Sequence, residues 1–279
     1  METPEKISYI IDWLKDYSDK GFVVGVSGGV DSATTSTLCV LTGRPTIVVF
    51  MPEVLDKKTV TLAEHHMAKL AHENSNCVPI SIELKQLTHN FKLMMSRLDY
   101  NNDLALANSK ARFRMLTLYH IAQANDLLVC GTGNKVEDFG VGFFTKYGDG
   151  GVDISPIGDL MKSEVYELAT ELDIHKDILA AKPTDGLWDD GRTDEDQLGI
   201  TYDEAEWAMN VDTNGLVNLL DPIAERTYKK YKEWNTKNAH KMIPIPVCKL
   251  PDQDTAIETS PDSEFDFKMY EHTYGPTYE

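Results

Sequence analysis

The sequence lacks a cationic surplus: 27 lysines and arginines stand against 45 aspartates and glutamates, for a formal net charge of -18 at pH 7. A protein that holds nucleic acid by neutralising phosphates needs the opposite balance, so no nucleic-acid partner is expected, although a small nucleotide in a local basic pocket remains compatible. Also missing is any apolar run near the roughly 20 residues that a bilayer crossing needs. The opening stretch METPEKISYIIDWLKDY places apolar residues at helical spacing broken by charges, which is neither a signal peptide nor a membrane span. Cysteine is scarce and scattered. Cys39, Cys77, Cys130 and Cys248 form no CxxC pair and no metal-ligand spacing, and they read as reduced, mostly core thiols of a cytoplasmic protein. There is no internal repeat and no low-complexity tract.

What is present is enough apolar material for a full core, 42% of 279 residues. Four short runs, GFVVGVS, TIVVFMP, CVPISI and DLLVCGT, read as buried strands because they are apolar throughout rather than alternating. Helix-like segments separate them: Asp31 to Thr42, Asp56 to Asn74, and Glu83 to Asn125 with a break near DYNND. Strand and helix in this alternation predict an α/β fold, a doubly wound parallel sheet with helices on both faces. Right-handed crossovers then gather the loops after the strands along one edge, where such proteins bind ligands. The expected organisation is a single domain over 1–250, followed by a loosely attached acidic tail over 251–279.

One of those loops is Ser27-Gly28-Gly29-Val30-Asp31-Ser32, between the first strand and a helix. Two adjacent glycines with hydroxyls on either side let backbone N–H groups and a helix N-terminus converge on an anion. The loop carries neither the lysine of GxxxxGK[ST] nor the spacing of GxGxxG. Asp31 stands where a phosphate-binding lysine would, and an acid beside a phosphate makes chemical sense mainly with a divalent cation between them. The competing reading is a plain helix cap, with Ser27 or Asp31 capping and the glycines turning the chain.

Further along, GTGNKVEDFGVGFFTKYGDGGVDISPIGDLMKSEVYELA, from Gly131 to Ala169, starts on the ligand edge and is too rich in glycines, aromatics and charges for an idle connection. Asp149 and Asp153 sit among its glycines, where either can also stabilise a turn. NSKARFRMLTLYHIA reads as an amphipathic helix whose Arg112 and Arg114 point different ways, one free to pair structurally while the other meets an anion. Asp194, Glu195 and Asp196 read as a loop or cap, and His65 and His66 as surface or packing residues.

These residues resemble a known family. SGGVDS looks like the SGGxDS pyrophosphate loop of the N-type ATP pyrophosphatases, whose fold is Rossmann-like and of the adenine nucleotide α-hydrolase type. The blocks GTGNK…E, FFTKYGDGG-D, P-hydrophobic-DL-K and KPT-LW…TDE-LG-YDE together resemble NAD synthetase over roughly Ile7 to Pro246. The resemblance implies ATP-dependent amidation of nicotinic acid adenine dinucleotide through an acyl-adenylate, giving NAD, AMP and pyrophosphate. It implies that Gly25, Val26, Ser27, Gly28, Gly29, Val30, Asp31 and Ser32, with Thr132, Lys162 and Thr184, hold ATP. Mg²⁺ would lie on Asp31 and Glu137, with Asp31 and Lys162 catalytic and Lys162 the charge partner of the phosphates. Arg112, Lys146, Asp153, His240 and Lys241 match positions that contact the deamido-dinucleotide. The stretch NKVEDFGVGFF is one residue longer than in some members, and Met242 stands where many carry arginine.

Members of this resemblance that use glutamine carry a separate amidase domain. Here the predicted sheet starts at Gly21, leaving room upstream for one helix, and none of the four cysteines looks like an activated thiol, so ammonia is the expected direct donor. The family is homodimeric, and the apolar face of ISYIIDWLKDY is compatible with a two-fold partner. Two other readings stay open: another ATP pyrophosphatase, either an amidating ligase or a tRNA thiolase, and a nucleotide-binding module without catalysis. The acidity speaks against tRNA, and the paired acids Asp31 and Glu137 speak against a passive binder.

Overall fold

A computed structural model describes residues 1–52, 57–184, 186–188, 190–214 and 221–250. The chain forms two compact units, Met1–Met242 and Ile243–Glu279. The expected tail over 251–279 lies outside the described residues.

The first unit is built on four parallel strands, β1 (Phe22–Val26), β2 (Thr46–Phe50), β3 (Cys77–Ser81) and β4 (Leu128–Cys130), in the order β3-β2-β1-β4. Helices α1 (Thr3–Tyr17), α2 (Val30–Leu41), α3 (Lys57–Glu73), α4 (Lys85–Ser96) and α5 (Asp103–Asn125) precede or separate them. After β4 come a π-helical turn (Val136–Val141) and helices α6 (Lys162–Glu171), α7 (Lys176–Leu179), α8 (Asp194–Leu198), α9 (Tyr202–Asn214) and α10 (Pro222–Met242). This is the expected doubly wound α/β sheet. Alternation along β1 shows why both faces are covered: Phe22 and Val24 pack with α1, α2 and α6, whereas Val23 packs with Ala122 of α5. Each of those β1 side chains is fully buried, a contribution of about 1.5–3 kcal/mol apiece.

Three expectations need correction. β3 is an edge strand, not a buried one: Val78 is 51% exposed and only Cys77 is buried. Pro79, which cannot donate to a further strand, is at home there. The apolar face of α1 packs Ile10 and Leu14 into the chain's own core and is not left for a partner. α5 is not cleanly two-sided, because it buries alanines, Ala107, Ala111 and Ala122, while Leu116 is 60% exposed. Among the described residues no helix is long and apolar enough to cross a membrane.

β1 is followed by a strand on one side and β4 on the other, so the strand order reverses between β1 and β4. The crevice outside their C-terminal ends is where an open parallel sheet binds ligands. Ser27 leaves one wall of that crevice, and Gly131 leaves the other.

Candidate functional site

The crevice holds a cavity of about 260 Å³ whose wall includes all of Gly25 to Ser32, together with Thr132 and Thr184. Ten of the eleven residues expected to hold ATP therefore meet in one place. The loop is held by its own hydroxyls: Ser27 N donates to Ser32 Oγ at 3.0 Å, and Gly29 N donates to Ser27 Oγ at 3.2 Å. Gly28 turns with φ +90°, and a Cβ there would lie 2.9 Å from Thr59 O, so the position requires glycine. The first intrahelical bond of α2 is Ala33 N to Gly29 O, which leaves the amides of Val30, Asp31 and Ser32 ahead of it without a partner in the helix, an end of the kind that suits an anion.

Behind this cradle lies the eleventh residue. Lys162, first in α6, is 2% exposed. Its Nζ is 2.6 Å from Asp31 Oδ2 and 3.0 Å from Glu137 Oε1. Burial alone would lower the Lys162 ammonium, but the two carboxylates outweigh it and raise it, so the lysine is charged. Burial pushes the Asp31 carboxyl up against the pull of Lys162. Burial would also raise Glu137, but Lys162 and a phenol hydroxyl hold it below the usual range. Asp31 is the member of this trio that lines the cavity, so Lys162 faces the acids rather than the open space.

Two hard-oxygen carboxylates converging on one positive centre also suit Mg²⁺, which takes few protein ligands and fills its other positions with phosphate oxygens and water. Among the described residues no group of three or more His, Cys, Asp or Glu is arranged to hold a metal by itself. The acid pair thus fits a metal that arrives with a phosphate ligand.

Two residues of the site have no assignment from sequence. Asn134, fully buried, donates from Nδ2 to Asp31 Oδ1 at 3.0 Å and accepts from Glu137 N at 3.1 Å, fixing both acids at once. An Asn three residues before an acid is a helix-start signal, so it was within reach of the sequence. Tyr202 donates to Glu137 Oε1 at 2.6 Å, and its hydroxyl lies 3.2 Å from Asp194 Oδ2. Nothing in the sequence ties residues 65 positions apart. The acid run is indeed a cap, with Thr193 and Asp196 forming a capping box for α8, yet Asp194 is buried beside Tyr202.

The residues expected at the dinucleotide divide differently. Lys146 Nζ donates to His240 O at 2.6 Å, Lys241 Nζ donates to Gly142 O and Phe144 O at 2.7 Å, and Arg112 Nη2 donates to Lys146 O at 3.3 Å. Those four form one patch around the segment 142–146. Asp153 lies apart from it: its carboxylate accepts Val129 N at 2.8 Å and Tyr119 OH at 3.0 Å, bracing β4 against α5. Arg114, not Arg112, lines the cavity beside α2.

The family model described as NAD synthase matches residues 4–244. The NH(3)-dependent NAD(+) synthetase of Mesoplasma florum is 38% identical over 213 residues, 74% of this chain and 84% of that protein. The protein of the same name from Archaeoglobus fulgidus is 36% identical over 236 residues, covering 83% of this chain and 90% of that one. Among solved structures, NMN synthetase from Francisella tularensis superposes with a TM-score of 0.78 at 32% identity, over 90% of this chain and all of that one. Sequence, fold and the composition of the crevice agree, and the chain belongs to the NAD synthase family.

Proposed function

We propose that this chain catalyses ATP-dependent amidation of nicotinic acid adenine dinucleotide to NAD, with ammonia as the nitrogen donor. A carboxylate is a poor acyl donor until its oxygen carries a leaving group. Its oxygen attacks the α-phosphorus of ATP, the bond to the β-phosphate oxygen breaks, and pyrophosphate leaves. Ammonia then attacks the acyl carbon, the amide forms, a proton is lost and AMP departs. The observation that carries the reading is the glycine loop and helix end of Gly25 to Ser32 opening on the same cavity as Asp31, with Lys162 and Glu137 behind it. In this reading the loop amides hold the leaving pyrophosphate, with Thr132 and Thr184 on the nucleotide. Mg²⁺, when held by Asp31 and Glu137, neutralises charge as the pyrophosphate departs. Lys162 keeps the two acids together and supplies the remaining positive charge. Arg112, Lys146 and Lys241, with His240 beside them, offer a patch for the anionic dinucleotide, while Asp153 braces β4 against α5.

Ammonia as direct donor is supported by the thiols. Of the four thiols three are buried, Cys39, Cys77 and Cys130, with burial pushing Cys77 up to about 11 and Cys130 well above its ordinary range, while Cys248 is exposed. A glutamine-splitting nucleophile needs the opposite shift. We also propose a cytoplasmic homodimer, its partner surface on α4, α5 and the turn between them, where Leu93, Met94, Leu98 and Leu116 are exposed. Light scattering at micromolar concentration is expected to give twice the chain mass.

The likeness to an NMN synthetase favours a second reading, the same amidation on the corresponding mononucleotide. The deciding experiment supplies ATP and Mg²⁺ with either deamidated nucleotide and with either ammonium or glutamine, and measures amide product and AMP. Efficient product from the dinucleotide and ammonium is expected. A preference for the mononucleotide would replace the substrate, use of glutamine by this chain alone would replace the donor, and no product from any pair would end the proposal.

A further inference from the structure

Tyr202 opens α9 and is 6% exposed, yet its hydroxyl reaches Glu137 Oε1, the same oxygen that lies 3.0 Å from Lys162 Nζ. Its ring also faces that ammonium, with Nζ 4.5 Å from the ring centre. On its other side the hydroxyl meets Asp194, whose backbone N donates to Pro183 O at 3.1 Å. Pro183 and Thr184 are walls of the nucleotide cavity. An unbroken path of contacts thus runs from the nucleotide wall through Asp194 and Tyr202 to Glu137, Lys162 and Asp31.

We propose that Tyr202 is a positioning residue: its hydroxyl holds Glu137 in the orientation that receives Mg²⁺. The inference rests on the metal role given to Glu137 above. The phenol has one proton and gives it to the nearer acceptor, Glu137 at 2.6 Å, so the carboxylate keeps its second oxygen for a cation. Groups that orient a ligating carboxylate in this way change metal affinity about 10–100-fold when removed.

Tyr202→Phe keeps the ring under Lys162 and deletes only the hydroxyl. The readout is the gain in affinity for a non-hydrolysable ATP analogue on adding Mg²⁺, measured by calorimetry. That gain is expected to fall about ten-fold or more, while affinity in EDTA stays within about two-fold. In a Glu137→Gln background the same substitution is expected to cost no more than about two-fold, because the hydroxyl acts through Glu137. A full Mg²⁺-dependent gain in a folded Tyr202→Phe protein, or an equal loss in both backgrounds, overturns the inference. Should Tyr202→Phe fail to fold, Tyr202→Met, which also lacks the hydroxyl, is put through the same cycle with the same criteria. No Mg²⁺-dependent gain in the unsubstituted protein overturns it too, while leaving amidation itself to stand or fall by product formation.

Discussion

Lys162 Nζ stands 2.6 Å from Asp31 Oδ2 across 131 positions of sequence, and the lysine side chain is 3% exposed. The pair joins the start of α2 to the start of α6, so the two helices that flank the crevice are fastened by the charges that serve it. Replacing Lys162 with Met leaves Asp31 and Glu137 as close, uncompensated acids. The expected loss is about 3–5 kcal/mol of unfolding free energy, the cost of stranding a buried charge. Millimolar Mg²⁺ is expected to recover part of it, since a bound cation stabilises the folded state. A urea midpoint unmoved by the substitution, with and without Mg²⁺, would count against the ion pair.

Asp31→Asn and Glu137→Gln each remove a charge without removing volume. Pyrophosphate release at saturating Mg²⁺ is expected to drop by about two orders of magnitude or more in each, with the fold retained. Near-normal turnover in either variant takes that residue out of the metal site.

Gly28→Ala tests the cradle from the backbone side. The left-handed φ and the approach of Thr59 O both oppose a Cβ, so about 1–3 kcal/mol of strain must be absorbed by the loop. Weaker ATP binding is expected together with a lower melting temperature. Unchanged ATP affinity would show that the loop shape is not what holds phosphate.

His66 gives a pH dependence whose sign can be worked out. Its Nε2 is 2.8 Å from Ser36 Oγ, and burial, aided by the Lys69 charge, lowers its pKa to about 4. The unfolded chain takes up the proton near the ordinary value of about 6.5 and the folded chain does not. Stability is therefore full above that value and lost as pH falls from there to about 4, by an amount on the order of 3 kcal/mol. Urea unfolding at pH 7.5, 6 and 5 is expected to show this decline, and His66→Gln is expected to flatten it. Identical pH profiles for the two proteins would remove His66 as the cause.

The parts legible in the sequence were those governed by local rules. The SGGVDS turn, the alternation of apolar runs with helical segments, and the placing of Thr132 at the end of β4 all follow from neighbours a few residues apart. The break between α4 and α5 was visible in DYNND, and Asn102 there caps α5 through Ala105 N at 2.8 Å. The edge character of β3 was not legible, because apolar content does not reveal whether another strand lies alongside. Tyr202 was not legible either, since its partners Glu137 and Lys162 come together only when α9 packs on the π-helical turn and α6. Asp153, which matches a binding pattern, also has a structural part that the sequence did not show, its carboxylate accepting Val129 N and Tyr119 OH.

The wide turn from Val136 to Val141 bears on how lengths are compared. A helical turn closed by i→i+5 bonds takes in one more residue than an α-turn while advancing hardly further along its axis. Between Glu137 and Lys146 the chain therefore holds more residues around its circumference than an α-turn would over the same distance, and Gly142 (φ +63°) redirects it at the end of the turn.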